Sequence, residues 1–247
     1  MVEIAPEALG KASLPKRFYK TVEVLDDAGR FFVTLDRRKV RTPAKAALTF
    51  SSLALAEAVA EEWRAQQDVI DPRTMPLARI ANVAIDGVAS ERDAVVAEIV
   101  KYASSDLVCY RADTPDRLVA RQTEHWDPVL AFARDDLGVR FVLAQGVMFV
   151  DQPEDTLEAV RQALPRDDHF VLAALSTMTT LTGSALLALG VLRGWHTVEQ
   201  AWAAANVDEG WNTELWGHDA EAAARQEARR VEMEAAARVI TLSLSPR

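Results

Sequence analysis

Residues 17–50, RFYKTVEVLDDAGRFFVTLDRRKVRTPAKAALTF, decide the fold class. Phe18, Lys20, Val22 and Val24 fall on one side of an extended segment, and Tyr19, Thr21 and Glu23 on the other. A period of two is the mark of a half-buried strand. Asp26-Asp27-Ala28-Gly29 supplies turn chemistry, and Phe31, Val33 and Leu35 resume the alternation. Asp36-Arg37-Arg38 turns the chain again, and 40–43 and 48–50 read as two further short strands. Pro43 cannot donate to a ladder, so it belongs at an edge or a bend. The stretch predicts an antiparallel meander.

Outward from it the period changes to that of a helix. Ser51 or Ser52 can cap a helix whose apolar positions Leu55, Val59 and Trp63 fall four apart. Asp71-Pro72 and Met75-Pro76 impose a constrained loop. Helical patterns follow over 77–85, around Val95, Val96, Ile99 and Val100, and from Trp126 to Leu137, stopped by Gly138. Residues 139–150 read as strand-like, with Gln145-Gly146 as a hairpin turn. Beyond Pro153 the chain reads as helical: a face of Leu157, Val160 and Leu164, a helix capped by Thr197, and a long Ala/Glu/Arg helix over 219–239. The predicted architecture is α+β: a β-rich N-terminal domain with a helix over 1–90, and a helical C-terminal domain over 91–247.

The 247 residues are half apolar and about a quarter charged, which suits a buried core and excludes a disordered chain. The single cysteine, Cys109, excludes an internal disulfide and fits a reducing compartment. The net charge of −9 is unevenly spread. Residues 1–45 hold ten Lys/Arg against six Asp/Glu, whereas 208–234 hold eight acids against three bases. Overall acidity argues against a nucleic-acid partner, and the bipolar surface suits a protein partner with its own charge pattern. The 23 uncharged residues of 170–192 are long enough to span a bilayer. Their six hydroxyl side chains and two glycines favour helices buried in a soluble core instead, so no integral membrane span is expected. The first twenty residues lack the apolar core of a secretory signal.

The fingerprints of chemistry are missing. Neither G-x-x-x-x-G-K-[ST] nor G-x-G-x-x-G occurs, so phosphate-cradling backbone is not signalled, and no cofactor is expected. Ser184 lies in Leu-Thr-Gly-Ser-Ala, outside any nucleophile elbow, and reads as a packing residue. Cys109 has no recognisable histidine partner and reads as a buried thiol. Glu214 and His218 sit four apart among acids, without the spacing of a metal site. The six tryptophans stand out. Trp63 and Trp126, on apolar faces, read as structural. Trp211 and Trp216 lie in DEGWNTELWGHD, residues 208–219, where core packing and an interface anchor ringed by charge are both open readings.

Segments spread along the chain resemble a known family. They are 16–20 (KRFYK), 41–45 (RTPAK), 60–66 (AEEWRAQ), 70–79 (IDPRTMPLAR), 81–86 (ANVAID), 106–112 (DLVCYRA), 126–128 (WDP) and the 208–217 segment. In this serial order they are similar to the assembly chaperones that act on the alpha subunit of the F(1) head of ATP synthase in mitochondria and alpha-proteobacteria. Gly210 departs from the bulkier residue usual in that family, and the first fifteen residues match nothing, which fits a bacterial, cytoplasmic form rather than one addressed to the mitochondrial matrix. The resemblance implies a non-enzymatic chaperone, monomeric when free, that covers the unassembled alpha subunit until beta subunits replace it. It also implies dependence on acidic residues near the C-terminus, with Asp219 or Glu221 the nearest counterparts. The candidate client-binding residues are therefore Asp208, Glu209, Trp211, Trp216, Asp219 and Glu221. The rival is a soluble enzyme without a recognisable catalytic motif.

Overall fold

The computed structural model describes residues 14–146, 149–217 and 219–245. Its sheet is set by two-residue turns. Strands β1 (Val22–Asp27) and β2 (Arg30–Leu35) pair antiparallel around Ala28-Gly29, with Asp27 opposite Arg30. Both turn residues have positive φ (54° and 80°), the geometry that matches the right-handed twist of the flanking strands. The Asp26 carboxylate accepts the Gly29 N–H at 2.9 Å. β3 (Arg38–Lys39) and β4 (Thr49–Phe50) both pair antiparallel with β2, and an Arg41–Ala47 bridge closes the excursion between them.

The strand reading fails upstream of Val22. Phe18 is 74% exposed, whereas Tyr19, assigned to the opposite face, is buried. This segment does not pair in the sheet. It runs against the loop after α1 (Leu53–Arg64), with Arg17 N donating to Asp68 O at 2.9 Å and Ile70 N to Pro15 O at 2.8 Å. Tyr19 is thereby turned inward, its hydroxyl on Trp63 O at 2.7 Å and its ring 5.9 Å from the Trp63 ring.

α1 starts where Ser52 Oγ accepts the Leu55 N–H, and it buries Leu55 and Val59 under the sheet. α2 (Pro76–Val83) has no side-chain cap from its preceding residue, Met75. The Glu62 carboxylate, projecting from α1, takes that place: its two oxygens accept the Leu77 and Ala78 N–H groups, each at 2.8 Å. Burial raises the Glu62 pKa to about 7 against these bonds. A π turn, Ala84–Val88, continues α2, and α3 (Arg92–Ser104) follows.

A fully buried carboxylate joins the next elements. Asp106 accepts Val108 N at 3.3 Å, opening the 3-10 turn Leu107–Cys109, and Leu186 N at 3.1 Å, at the start of α7 (Ala185–Leu192). Burial raises its pKa to about 6. The same burial pushes the neighbouring Cys109 thiol far above its ordinary range, which leaves it a poor nucleophile. β5 (Tyr110–Arg111) precedes α4 (Asp116–Asp135).

Among the described residues of 139–150 the expected hairpin pairing is not seen. β6 (Ala144–Gln145) pairs in parallel with β5, and Gly146 N donates to Arg111 O at 3.1 Å. The chain here lies along a strand 34 residues earlier rather than folding back on itself. Residues 147 and 148 lie outside the described part. α5 (Glu154–Ala163) buries Val160 on the core. The uncharged stretch forms two helices, α6 (His169–Thr182) and α7, parted at Gly183, whose φ of 68° lets the backbone turn. Nine residues of α6 are buried, so its apolarity serves the protein core. Among the described residues no helix is long and apolar enough to cross a membrane.

α8 (Val198–Ala205) opens on a capping box of Thr197 and Gln200, and α9 (Val207–Trp216) and α10 (Ala220–Leu244) complete the chain. The division drawn at residue 90 falls between the π turn and α3. Across it, α2 and the π turn pack on α6, α10 packs on α1 and α2, and one continuous cluster of buried side chains runs through both parts.

Candidate functional site

α9 and the first half of α10 stand apart in how little they bury. Val207 is the buried residue of α9. The buried residues of α10 are Met233, Ala235, Ala236, Ala237, Val239 and Ile240, all in its second half. A helix pair with so little core needs other ties. Gln122, buried in α4, donates to Asp208 at 2.8 Å. Gln226 of α10 donates to Glu209, joining α9 to α10. Arg121 pairs with Glu214 at 2.7 Å. Between the two helices lies an open groove of about 500 Å³, edged by Glu209, Glu214, Asp219 and Glu227 and floored by Trp202, Ala222 and Ala223.

The six proposed contact residues divide by environment. Trp211 is half-buried, with the guanidinium groups of Arg117 and Arg121 5.5 and 5.7 Å from its ring centre. Cations over an indole face are attracted by its quadrupole, so this ring already has partners within the chain. Trp216 is 84% exposed and follows Leu215, itself 57% exposed. Asp219 is the N-cap of α10 and accepts the Glu221 N–H at 2.9 Å. Glu221 pairs with Arg225 one turn on, at 2.6 Å, with both side chains largely in water. Asp208 and Glu209 hold α9 in place as described. Further along α10, Arg230 bridges Glu227 and Glu234 and holds the Glu227 carboxyl below its ordinary pKa.

The two tryptophans read as structural differ in depth. Trp126 is wholly buried, and its indole N–H donates to Ala204 O at 2.7 Å, tying α4 to the end of α8. Trp63 is half-buried, packed on the core and against Tyr19. Arg117 and Arg121 are absent from the sequence reading. Their spacing of four on one helix was the available signal, but nothing local tied it to Trp211. Among the described residues no three His, Cys, Asp or Glu side chains gather to hold a metal. His218, weighed as a ligand with Glu214, lies outside them.

Known proteins place this architecture. The family model described as ATP12 chaperone protein matches residues 16–134, from before β1 to the end of α4. The chain is 24% identical over 225 residues to "Protein atp12, mitochondrial" of Schizosaccharomyces pombe, covering 84% of this chain and 77% of that one. Its structure superposes on that of the Atu1473 protein of Agrobacterium tumefaciens with a TM-score of 0.89 and 50% identity, over 93% of this chain and 86% of the other. It superposes on Atp12 of Paracoccus denitrificans with a TM-score of 0.87 and 41% identity, over 93% and 98% of the two chains. Identity at that level along nearly the whole of both chains, with the same sheet and helices, means that this chain belongs to the ATP12 chaperone family.

Proposed function

We propose that the chain is an assembly chaperone of ATP synthase that binds the unassembled alpha subunit of the F(1) sector through α9 and the first turns of α10. The observation that carries this reading is the exposed pair Leu215-Trp216 beside acidic side chains, on a helix, α9, that buries only Val207. An exposed indole near charged groups has the composition of an interface hot spot with its polar rim. An unassembled ring subunit exposes apolar interfaces, and a transient cover lowers its tendency to aggregate. In this reading the chain acts without catalysis or cofactor, as a free monomer, in the bacterial cytoplasm or its counterpart the mitochondrial matrix, and binds no nucleic acid.

The test separates contact from fold. Trp216→Ala removes a side chain that is 84% exposed, so the melting temperature should stay within a few degrees. A hot-spot aromatic costs about 2 kcal/mol or more of affinity when truncated, about thirtyfold. Capture of isolated alpha subunit and suppression of its light scattering should both fall accordingly. Undiminished protection by Trp216→Ala would move the contact elsewhere. An empty pull-down by the wild-type chain, together with nucleotide turnover, would overturn the chaperone reading.

A further inference from the structure

Two of the sequence segments singled out above, 41–45 and 81–86, meet in space away from α9. The turn after Arg41 is tied at every step. Thr42 N donates to Ala46 O at 2.9 Å, Lys45 N to Thr42 O at 2.8 Å, and Ala46 N to Thr42 Oγ1 at 3.1 Å. Arg41 Nη1 donates to Lys45 O at 3.0 Å. Asp86, in the π turn after α2, then latches the whole turn: one oxygen accepts the Thr42 hydroxyl at 2.5 Å and the other the Ala44 N–H at 3.0 Å. π turns inside helices are often found at functional sites.

The latch holds Lys45 at φ 69°, a left-handed conformation that a lysine rarely adopts. Such strain persists only where surrounding bonds over-determine it, and it concentrates at functional positions. Asp86 uses both oxygens on the turn. Among the described residues neither Arg41 nor Lys45 has an ion-pair partner, and both are exposed, as are Pro43 and Ala44 between them. Arg37 and Arg38, at the preceding turn between β2 and β3, are likewise exposed and outside any ion pair among those residues. A protein of net charge −9 thus presents a rigid cationic turn on its β-rich part.

We propose that the Arg41–Lys45 turn is a preorganised docking point for an acidic segment of a protein partner, built from different elements than the α9–α10 surface. Charge complementarity selects an anionic occupant. A lipid headgroup layer is the poorer match, because membrane-binding patches use unbroken clusters of cations. Here Glu23, Asp26, Asp27 and Asp36 stand exposed in the same sheet region.

A fluorescently labelled poly-glutamate peptide, followed by anisotropy with the full chain at low salt, tests the assignment. The wild-type chain should bind it, with affinity falling as salt rises. Arg41→Ala with Lys45→Ala should weaken binding by roughly two- to fivefold for each cation, the range of exposed charge pairs. Lys101→Ala, removing an exposed cation of α3, should leave binding unchanged. Asp86→Ala makes the region more positive by one charge yet frees the turn, so it should bind more weakly. Tighter binding there would mean bare charge attraction and would overturn the preorganised turn. Should Asp86→Ala fail to fold by circular dichroism, Thr42→Val takes its place: it removes the hydroxyl that Asp86 holds without changing any charge, and unchanged peptide binding by it would overturn the preorganised turn. No peptide binding by the wild-type chain, equal binding by the double variant, or capture of phosphatidylserine vesicles in place of the peptide would each overturn the proposal.

Discussion

Replacing Trp126 by phenylalanine tests the central junction of the helices. The indole has no solvent exposure, and its N–H bonds to Ala204 O at 2.7 Å. Ala204 lies in the last turn of α8, where carbonyls lack intrahelical donors. Phenylalanine keeps most of the ring contact but removes the donor, leaving a buried carbonyl short of a partner at about 1–3 kcal/mol. The smaller ring also leaves a void of about 40 Å³, which at about 24 cal/mol per Å³ adds about 1 kcal/mol. The sum, about 2–4 kcal/mol, is a large share of the 5–15 kcal/mol typical of a folded protein. For a chain of this size it corresponds to a fall in melting temperature of roughly 4 to 16 °C. Urea unfolding followed by far-ultraviolet circular dichroism measures it directly. A loss below about 0.5 kcal/mol, the range of surface substitutions, would refute both the hydrogen bond and the packing argument.

Gly190 lies against the His196 ring, and a Cβ there would overlap Cδ2 of that ring. Gly190→Ala should therefore destabilise by about 1–3 kcal/mol, whereas in a His196→Ala background the same change should stabilise by about 0.5–1 kcal/mol through helix propensity, a reversal of sign read by thermal melts. Asp106 offers a test in pH. Its folded pKa, raised by burial to about 6 from 3.8, means that its contribution to stability is full below about pH 4 and is lost as pH rises through about 6, by about 3 kcal/mol. The difference in unfolding free energy between wild type and Asp106→Asn should shift by that amount across the window, and parallel curves would contradict it.

The sheet was legible where its partners were local. Asp26-Asp27-Ala28-Gly29 announces a tight turn, and alternation on either side places Val24 and Val33 opposite each other in the observed register. The same alternation misled over 17–21, because a period of two specifies an extended chain and says nothing about what it lies against. There the partner is the loop at Asp68, not a strand, and the side-chain faces reverse. The start of α4 was hidden for a related reason. Residues from Asp116 to His125 are mostly polar and half of them are exposed, so the apolar period becomes visible only at Trp126, two residues before Pro128, which the helix accommodates. In 139–150 the segment reads as strand-like and Gln145-Gly146 suggests a hairpin turn, but a parallel pairing with Tyr110-Arg111 depends on residues far away in the chain, which no turn signal encodes.

The candidate surface was half legible, and helix geometry shows where the division falls. In the sequence Trp211 and Trp216 have similar charged surroundings and invite a single reading as a pair. On α9 they are five residues apart, about 500° of rotation at 100° per residue, so they leave the helix about 140° apart. One face must then turn toward the body of the protein. It is the face of Trp211, which meets Arg117 and Arg121 of α4. Those arginines lie some 90 residues earlier, and only the packing of α4 on α9 brings them there. The opposite phase leaves Trp216 in water at the end of the helix. The acids divide on the same physical ground. Asp219 and Glu221 fall at the positive end of the α10 dipole, where a carboxylate is worth about 0.3–1 kcal/mol whatever else it does. Their presence in the sequence therefore could not discriminate a cap from a contact. An exposed indole has no such local use, since leaving it in water gains nothing for the fold. Trp216 is for that reason the residue on which the binding proposal rests most directly, and the one whose removal separates binding from stability.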